Sequence, residues 1–411
     1  MKNLLAFCLS ACAALSAQQT PAPTELASSP FVIKNTWIIG GSGNWDYLTL
    51  DPQARQLFIA HGAAVQVIDI GTGTVAGQVT GFRDAHSIAL DDTGEFGYVS
   101  DGPASQVKVF DRRSFKVVAT IPTGPSPRAV VFEPQTRLVF AVSAAPLLQR
   151  PGASPSAANQ SVKSSITVID AQTHAVIGKI LLPGKLGFAA TGGAGQIYIS
   201  LVDRNEIAWI DATAIDARLH GGPSKAETAR AEAGQPVPAR LPGAEVTLDW
   251  SAIPHSTQSS GDRVRFFALG PECRDLRSLA VDSSHMRLFA ACNNQAMDVL
   301  NGATGELVAS LPTGAGVDAI AYDPDRGLIY TANGAAMGSL TVIRQDVTDT
   351  YAVIQNLPTR QRARTLAVDP VSGDVYLVTD LLGMPLDKLG GVGSLQTPPV
   401  SGSFQVLVIA H

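Results

Sequence analysis

Short apolar runs broken by turn residues recur along the chain, and their spacing carries most of what the sequence says. The clearest stretch is 276–314, LRSLAVDSSHMRLFAACNNQAMDVLNGATGELVASLPTG. Within it LRSLAVD, RLFAA, MDVLN and LVASLPTG are rich in β-branched or large apolar residues. Each stops at Ser-, Asn- or Gly-type turn residues, which predicts four short strands.

The unit repeats. Its first strand recurs as DYLTLD (46–51), HSIALD (86–91), RAVVFE (128–133), GFAATG (187–192), RSLAVD (277–282), DAIAYD (318–323) and RTLAVD (364–369). The second recurs as QLFIA, FGYVS, LVFAV, IYISL, RLFAA, LIYTA and VYLVT. The third recurs as VQVID, VKVFD, ITVID, IAWID, MDVLN, LTVIR and VLVIA. One such unit cannot bury both its faces alone, whereas units packed face to face around an axis can. Seven units of about 40 residues therefore predict an all-β fold, a seven-bladed β-propeller of four-stranded antiparallel blades.

The seventh unit stops at VLVIA, which ends at Ala410, so it lacks a fourth strand. FVIKNTWIIGG (31–41) precedes the first unit and resembles fourth strands such as VVATIPTG (117–124). The expectation is a ring closed by an N-terminal strand that completes the last blade and ties down both chain ends. A single domain, 31–411, follows, with insertions at 144–164, 212–262 and 381–403. In a four-stranded meander the start of strand one and the turn between strands two and three share an end. The first and third insertions are expected to overhang that end, and the second to leave from the opposite one. Within the second, KAETARAEAG (225–234) reads as a helical turn or two and the rest as flexible.

Residues 1–17 combine Lys2, the apolar run NLLAFCLSACAAL and the small residues Ser16 and Ala17, the pattern of a signal peptide. Residues 18–30 read as a polar, proline-containing linker. Leu9-Ser10-Ala11-Cys12 also resembles a lipoprotein cleavage box, the alternative that puts a lipid anchor on Cys12. No other apolar run reaches the roughly 18 residues of a membrane span. The expected location is periplasmic or secreted, soluble or lipid-tethered.

Composition fits that reading. The hydrophobic fraction is 45% and the charged fraction 16%, and Gly 38 and Pro 26 supply turns between many strands. The net charge of −5 provides no basic field, so strong nucleic-acid binding is not expected. Cys273 and Cys292 remain once the signal is removed, and an oxidising compartment favours their pairing. Cys273 precedes the first strand of its blade and Cys292 ends the second, so antiparallel pairing brings them to one side. A disulfide within the fifth blade is expected, with two separate buried thiols as the alternative.

The repeat also nominates a site. The residue at the entrance of each first strand is Asp46, His86, Arg128, Gly187, Arg277, Asp318 and Arg364 in turn. One per blade, these should ring the mouth of the central channel. The three arginines have planar forks suited to carboxylate or phosphate. A solvated channel lining is the plainer account of the same polarity. A second layer, His61, Asp101, Asn294, Asn333 and Asp380, follows strand two, where Asp and Asn are ordinary turn residues. His61 and His86, with Asp46 or Asp101, have the composition of a metal site, but no close HxH or CxxC spacing supports one, and neither metal nor cofactor is expected. No nucleophile elbow, P-loop or HExxH motif is present in the sequence.

The segments WDYLTLD, AHGAAVQVIDIGTG, CRDLRSLAVD, GVDAIAYDPDRGLIYTANG and RARTLAVDPVSGDVYL resemble the YncE-like, YVTN-repeat β-propellers of bacteria. The resemblance spans roughly 31–411 apart from the insertions. It implies a seven-bladed exported propeller and little chemistry; the namesake is linked to weak single-stranded DNA binding. Related propellers include sugar-lactone hydrolases and amine dehydrogenase subunits. Relatives often carry an acidic residue where Arg128 stands and a glutamate where Gly187 stands, so this mouth is more cationic. Two functions stay open. One is a non-catalytic scaffold holding an anionic small molecule or a protein partner. The other is a lactonase-like or metal-assisted hydrolase using channel His and Asp residues.

Overall fold

The protein is described by a computed structural model covering residues 30–41, 43–144, 163–220, 246–251, 263–346, 349–383 and 399–411. It is a seven-bladed β-propeller. The blades begin with the strands Trp45–Asp51, Ala85–Leu90, Pro127–Glu133, Leu186–Thr191, Leu276–Asp282, Val317–Asp323 and Thr365–Val368. Within each blade the four repeat strands pair antiparallel with their neighbours. Strand alternation sends side chains to both faces, and inner strands are apolar on both because each blade is covered by two neighbours. Leu138–Ser143, for instance, is buried at every position, whereas the outermost strand Thr74–Thr80 is mostly exposed.

The core is accordingly divided among the blade interfaces. Leu57, Ile59, Ile68, Tyr376, Val406 and Val408 form the layer between blades one and seven. Phe58, Val67, Val99 and Phe110 form the layer between blades one and two. Charged contacts add to the blade seams. Arg112 of blade two lies within reach of Asp51 in blade one and of Asp91, and all three are buried.

The ring closes through the N-terminal strand. Val32–Ile38 pairs antiparallel with Gln405–Ala410, from Val32 opposite Ala410 to Ile38 opposite Gln405. Phe31 is buried just before this strand, edge-on to Tyr330 of blade six with centroids 5.7 Å apart. Cys273 and Cys292 are joined by a disulfide with Cα atoms 5.3 Å apart, linking the approach to the first strand of blade five to the end of its second.

The insertion at 212–262 departs from the sequence expectation. It opens with the helix Ala212–Leu219, whose N-cap Asp211 accepts a hydrogen bond from Ala214 N at 3.0 Å. It then supplies the strand Val246–Asp249, which pairs parallel with Val176–Pro183 of blade three, Gly178 opposite Val246 and Leu181 opposite Asp249. Blade three thus has five strands. The cause is apolar cover: Leu219, Leu248 and Trp250 pack on the core between blades three and four. The segment 225–234 lies outside the described residues, as do 1–29, with the expected signal peptide, most of the linker and Cys12. Only the ends of 144–164 and 381–403 are described, the latter joined by a bridge between Leu382 and Pro399. No helix among the described residues is long and apolar enough to cross a membrane.

Candidate functional site

The first strand of a blade does not run regularly into the channel mouth. In blades one to six its pairing register breaks near its start: between Trp45 and Leu48, Ala85 and Ile88, Pro127 and Ala129, Leu186 and Ala189, Leu276 and Ser278, and Val317 and Ala319. Each break contains one residue nominated from the repeat: Asp46, His86, Arg128, Gly187, Arg277 or Asp318. A bulge leaves its residue out of the ladder and re-aims its side chain. In blade seven Arg364 directly precedes the strand Thr365–Val368.

Six of the seven nominated residues border one cavity of about 180 Å³: Asp46, Arg128, Gly187, Arg277, Asp318 and Arg364. Lys185, just ahead of the first strand of blade four, joins them. Its cationic wall therefore comes from blades three, four, five and seven, against carboxylates from blades one and six. Gly187 is a glycine for lack of room: a Cβ there would lie 2.6 Å from Val202 Cγ2 and 2.7 Å from Ser200 Oγ.

The floor was not foreseen. Tyr47 and Phe188 follow the entrance residues of blades one and four. Their rings meet across the axis, centroids 5.1 Å apart and tilted by 50°. Both also border a second cavity of about 340 Å³ further down the channel, lined largely by apolar residues such as Leu48, Ile88, Val130, Ile320 and Leu366. The aromatic pair thus separates a charged cup from an apolar channel. A sequence signal existed. The residue after the entrance is small in the other five blades: Ser87, Ala129, Ser278, Ala319 and Thr365. It is aromatic only in blades one and four.

The charges are unevenly committed. Arg364 Nε lies 3.0 Å from Asp318 Oδ2, and its Nη2 donates to Trp45 O at 3.3 Å. Arg277 Nη2 donates to Asp275 Oδ2 at 2.7 Å. His86 stands outside the cup wall, its Nδ1 2.9 Å from Asp46 Oδ2 and its Nε2 3.9 Å from Asp84. Among the described residues, Arg128 and Lys185 make no side-chain hydrogen bond or ion pair. Burial pushes the Asp318 carboxyl above its ordinary 3.8; Arg364 opposes this and Asp46 adds to it. Burial, then Asp318 and Asp46, hold the Tyr47 phenol well above its usual range, so it keeps its proton.

The second layer does not join the cup. His61 bonds Gln66 Oε1 through Nδ1 at 2.8 Å and stacks on Phe404. Asp101 accepts from Arg83 N at 3.0 Å and Asp84 N at 3.2 Å, while Asn294 Oδ1 accepts from Arg274 N at 2.8 Å. Asp380 accepts from Arg362 Nη1 at 2.9 Å, and that guanidinium lies over the Trp45 ring. Asn333 donates to Ser339 O and Thr341 Oγ1. Except for His61 and Asn333, which bond toward strand three, these residues fasten the segment leading into strand one of their own blade. Among the described residues, no three His, Cys, Asp or Glu side chains converge as a metal-binding group.

Solved structures share the fold. The chain is similar to a chain of the "Crystal Structure of Mitotic Checkpoint Complex" at 13% identity, covering 100% of this chain and 99% of that one, with a TM-score of 0.60. It is similar to the "Structure of U3-55K" at 8% identity, covering 90% and 97%, with a TM-score of 0.60. It is likewise similar to the "Crystal structure of RRP9 WD40 repeats" at 8% identity, covering 90% and 96%, with a TM-score of 0.62. Identities this low carry the fold alone. No protein-family model and no curated protein matches the chain.

Proposed function

We propose that this propeller is a non-catalytic binding scaffold whose channel mouth holds a small anion. The observation that carries the reading is the cup itself: Arg128, Lys185, Arg277 and Arg364 around one cavity against Asp46 and Asp318. Four cations facing two carboxylates leave an excess of positive charge in a concave, half-enclosed space, although the chain as a whole is acidic. At about 180 Å³ the cup is smaller than the roughly 300–1,000 Å³ of a drug-sized site, so its occupant is small or is the tip of something larger. A protein partner presenting an acidic terminus fits the same chemistry. Neighbours in fold include WD40 repeats and a chain of a multiprotein complex, which supports a scaffold role by analogy only. Export to an oxidising compartment and kinship with YncE-like propellers belong to this proposal. The 17-residue leader pattern and the repeat segments support them.

The alternative, a lactonase-like or metal-assisted hydrolase, draws on the His86–Asp46 pair, which fixes an imidazole beside the cup. That pair is one acid–base couple, the described lining of the cup offers no Ser, Thr or Cys beside it, and both nitrogens of the imidazole face carboxylates. A thermal-shift screen of the mature protein against organic acids, phosphate and divalent metals tests both readings. Stabilisation by anions is expected. Stabilisation by a metal alone, with turnover of a lactone, would replace the scaffold reading with the hydrolase.

A further inference from the structure

Resting on the anion-binding reading, we infer that the ligand is a small monocarboxylate with a flat apolar body, such as an arene carboxylate. Its head sits on Arg128 and Lys185 and its body lies against the Tyr47–Phe188 pair.

The head position follows from the commitments of the cations. Arg364 is engaged by Asp318 and Trp45 O, and Arg277 by Asp275. Arg128 and Lys185 have no described side-chain partner, and they come from the adjacent blades three and four. A guanidinium fork beside an ammonium offers a carboxylate both planar and point-charge donors. The charge follows from Asp46 and Asp318, which border the same cavity. With Arg364 paired to Asp318 and Arg277 to Asp275, the uncommitted charge is that of Arg128 and Lys185 against Asp46, a single net positive charge that a monoanion neutralises and a phosphate dianion exceeds. The body follows from the floor. A purely polar ion would leave the aromatic surface of Tyr47 and Phe188 wet, while a ring laid on it removes apolar area from water and gains an aromatic contact. Phe188 belongs to the same blade as Lys185, which sets head site and floor side by side.

The test is an NMR titration of the full mature chain with acetate, benzoate and inorganic phosphate, on the wild type and on Phe188→Leu and Phe188→Ala. Phe188→Leu keeps most of the buried volume and guards against loss of fold. Benzoate should bind roughly tenfold more tightly than acetate, with phosphate weaker than benzoate. Both variants should bring the benzoate-to-acetate ratio toward one, the loss falling on benzoate. Equal affinity for acetate and benzoate in the wild type would overturn this inference and leave the anion reading standing, as would phosphate binding more tightly than benzoate. A ratio unchanged in Phe188→Leu would overturn the role of the floor. Absence of binding by all three anions would overturn the anion reading itself.

Discussion

The side-chain amide of Gln355 grips Phe31 twice, accepting from its backbone N at 2.8 Å and donating to its backbone O at 2.8 Å. The two residues are 324 positions apart. Their contact fixes the start of the closing strand against blade six, the neighbour of the blade that the strand completes. A β-like pair of bonds from a side chain thus extends the closure beyond the ladder between Val32–Ile38 and Gln405–Ala410.

Closure should therefore be separable into a large part and a small part. Gln355→Ala should cost about 1–3 kcal/mol, the price of two part-buried hydrogen bonds and an unpaired backbone group. Deleting 31–41 should abolish soluble folded protein by baring a long strand edge. Urea denaturation of the point variant and solubility of the truncation are the readouts. A soluble truncation with an unchanged melting temperature would contradict the closure.

Reducing the Cys273–Cys292 bridge, or replacing both residues with Ser, should lower stability by about 3 kcal/mol, since the bonded residues are 19 apart and the loop is of modest length. Titration of the denatured, unreduced mature protein should find no free thiol in this pair. Two free thiols would contradict it.

Arg112→Ala should be among the most damaging single changes at a blade seam. It leaves Asp51 and Asp91 buried without their cation, a loss of about 3–5 kcal/mol. Equilibrium unfolding of this variant, compared with Asp51→Asn/Arg112→Ala/Asp91→Asn, checks the assignment: the triple change should recover part of the loss.

Asp318 gives a pH signature. Its carboxyl is raised in the folded state, so between its ordinary 3.8 and its folded value the native chain binds more protons than the unfolded one. Stability from this group is therefore greatest at and below the ordinary value and falls as pH rises through the folded one. The stability difference between wild type and Asp318→Asn should shift in favour of Asn as pH rises through that window. A difference that is flat with pH, or runs the other way, would contradict the assigned burial.

The propeller was legible because its signal is redundant. A strand such as RLFAA or VYLVT is ambiguous alone, but seven copies in register are not. The entrance residues were legible for the same reason, one per repeat. What escaped depends on contacts that no single repeat contains. Tyr47 and Phe188 meet only when blades one and four are brought across the axis. Lys185 lies before its strand, outside the aligned positions. The strand Val246–Asp249 has four residues in a Pro-, Gly- and Ala-rich stretch, and it forms because a neighbouring blade offers an edge and Leu248 finds apolar cover. Asp101 and Asp380 look like turn residues in sequence, and their long-range bonds to Arg83, Asp84 and Arg362 appear only in the folded blade.

The measurement that bears most directly on the account is a calorimetric titration of the mature protein with benzoate at low ionic strength, beside Arg128→Gln/Lys185→Gln/Arg277→Gln. Low salt matters because the cup is open to solvent and its charges are screened within about 10 Å at 0.1 M. The account predicts one site per chain in the wild type, weakening with added salt, and no measurable heat in the triple variant with its melting transition still cooperative. Undiminished binding in a folded triple variant, or none in the wild type, would contradict it.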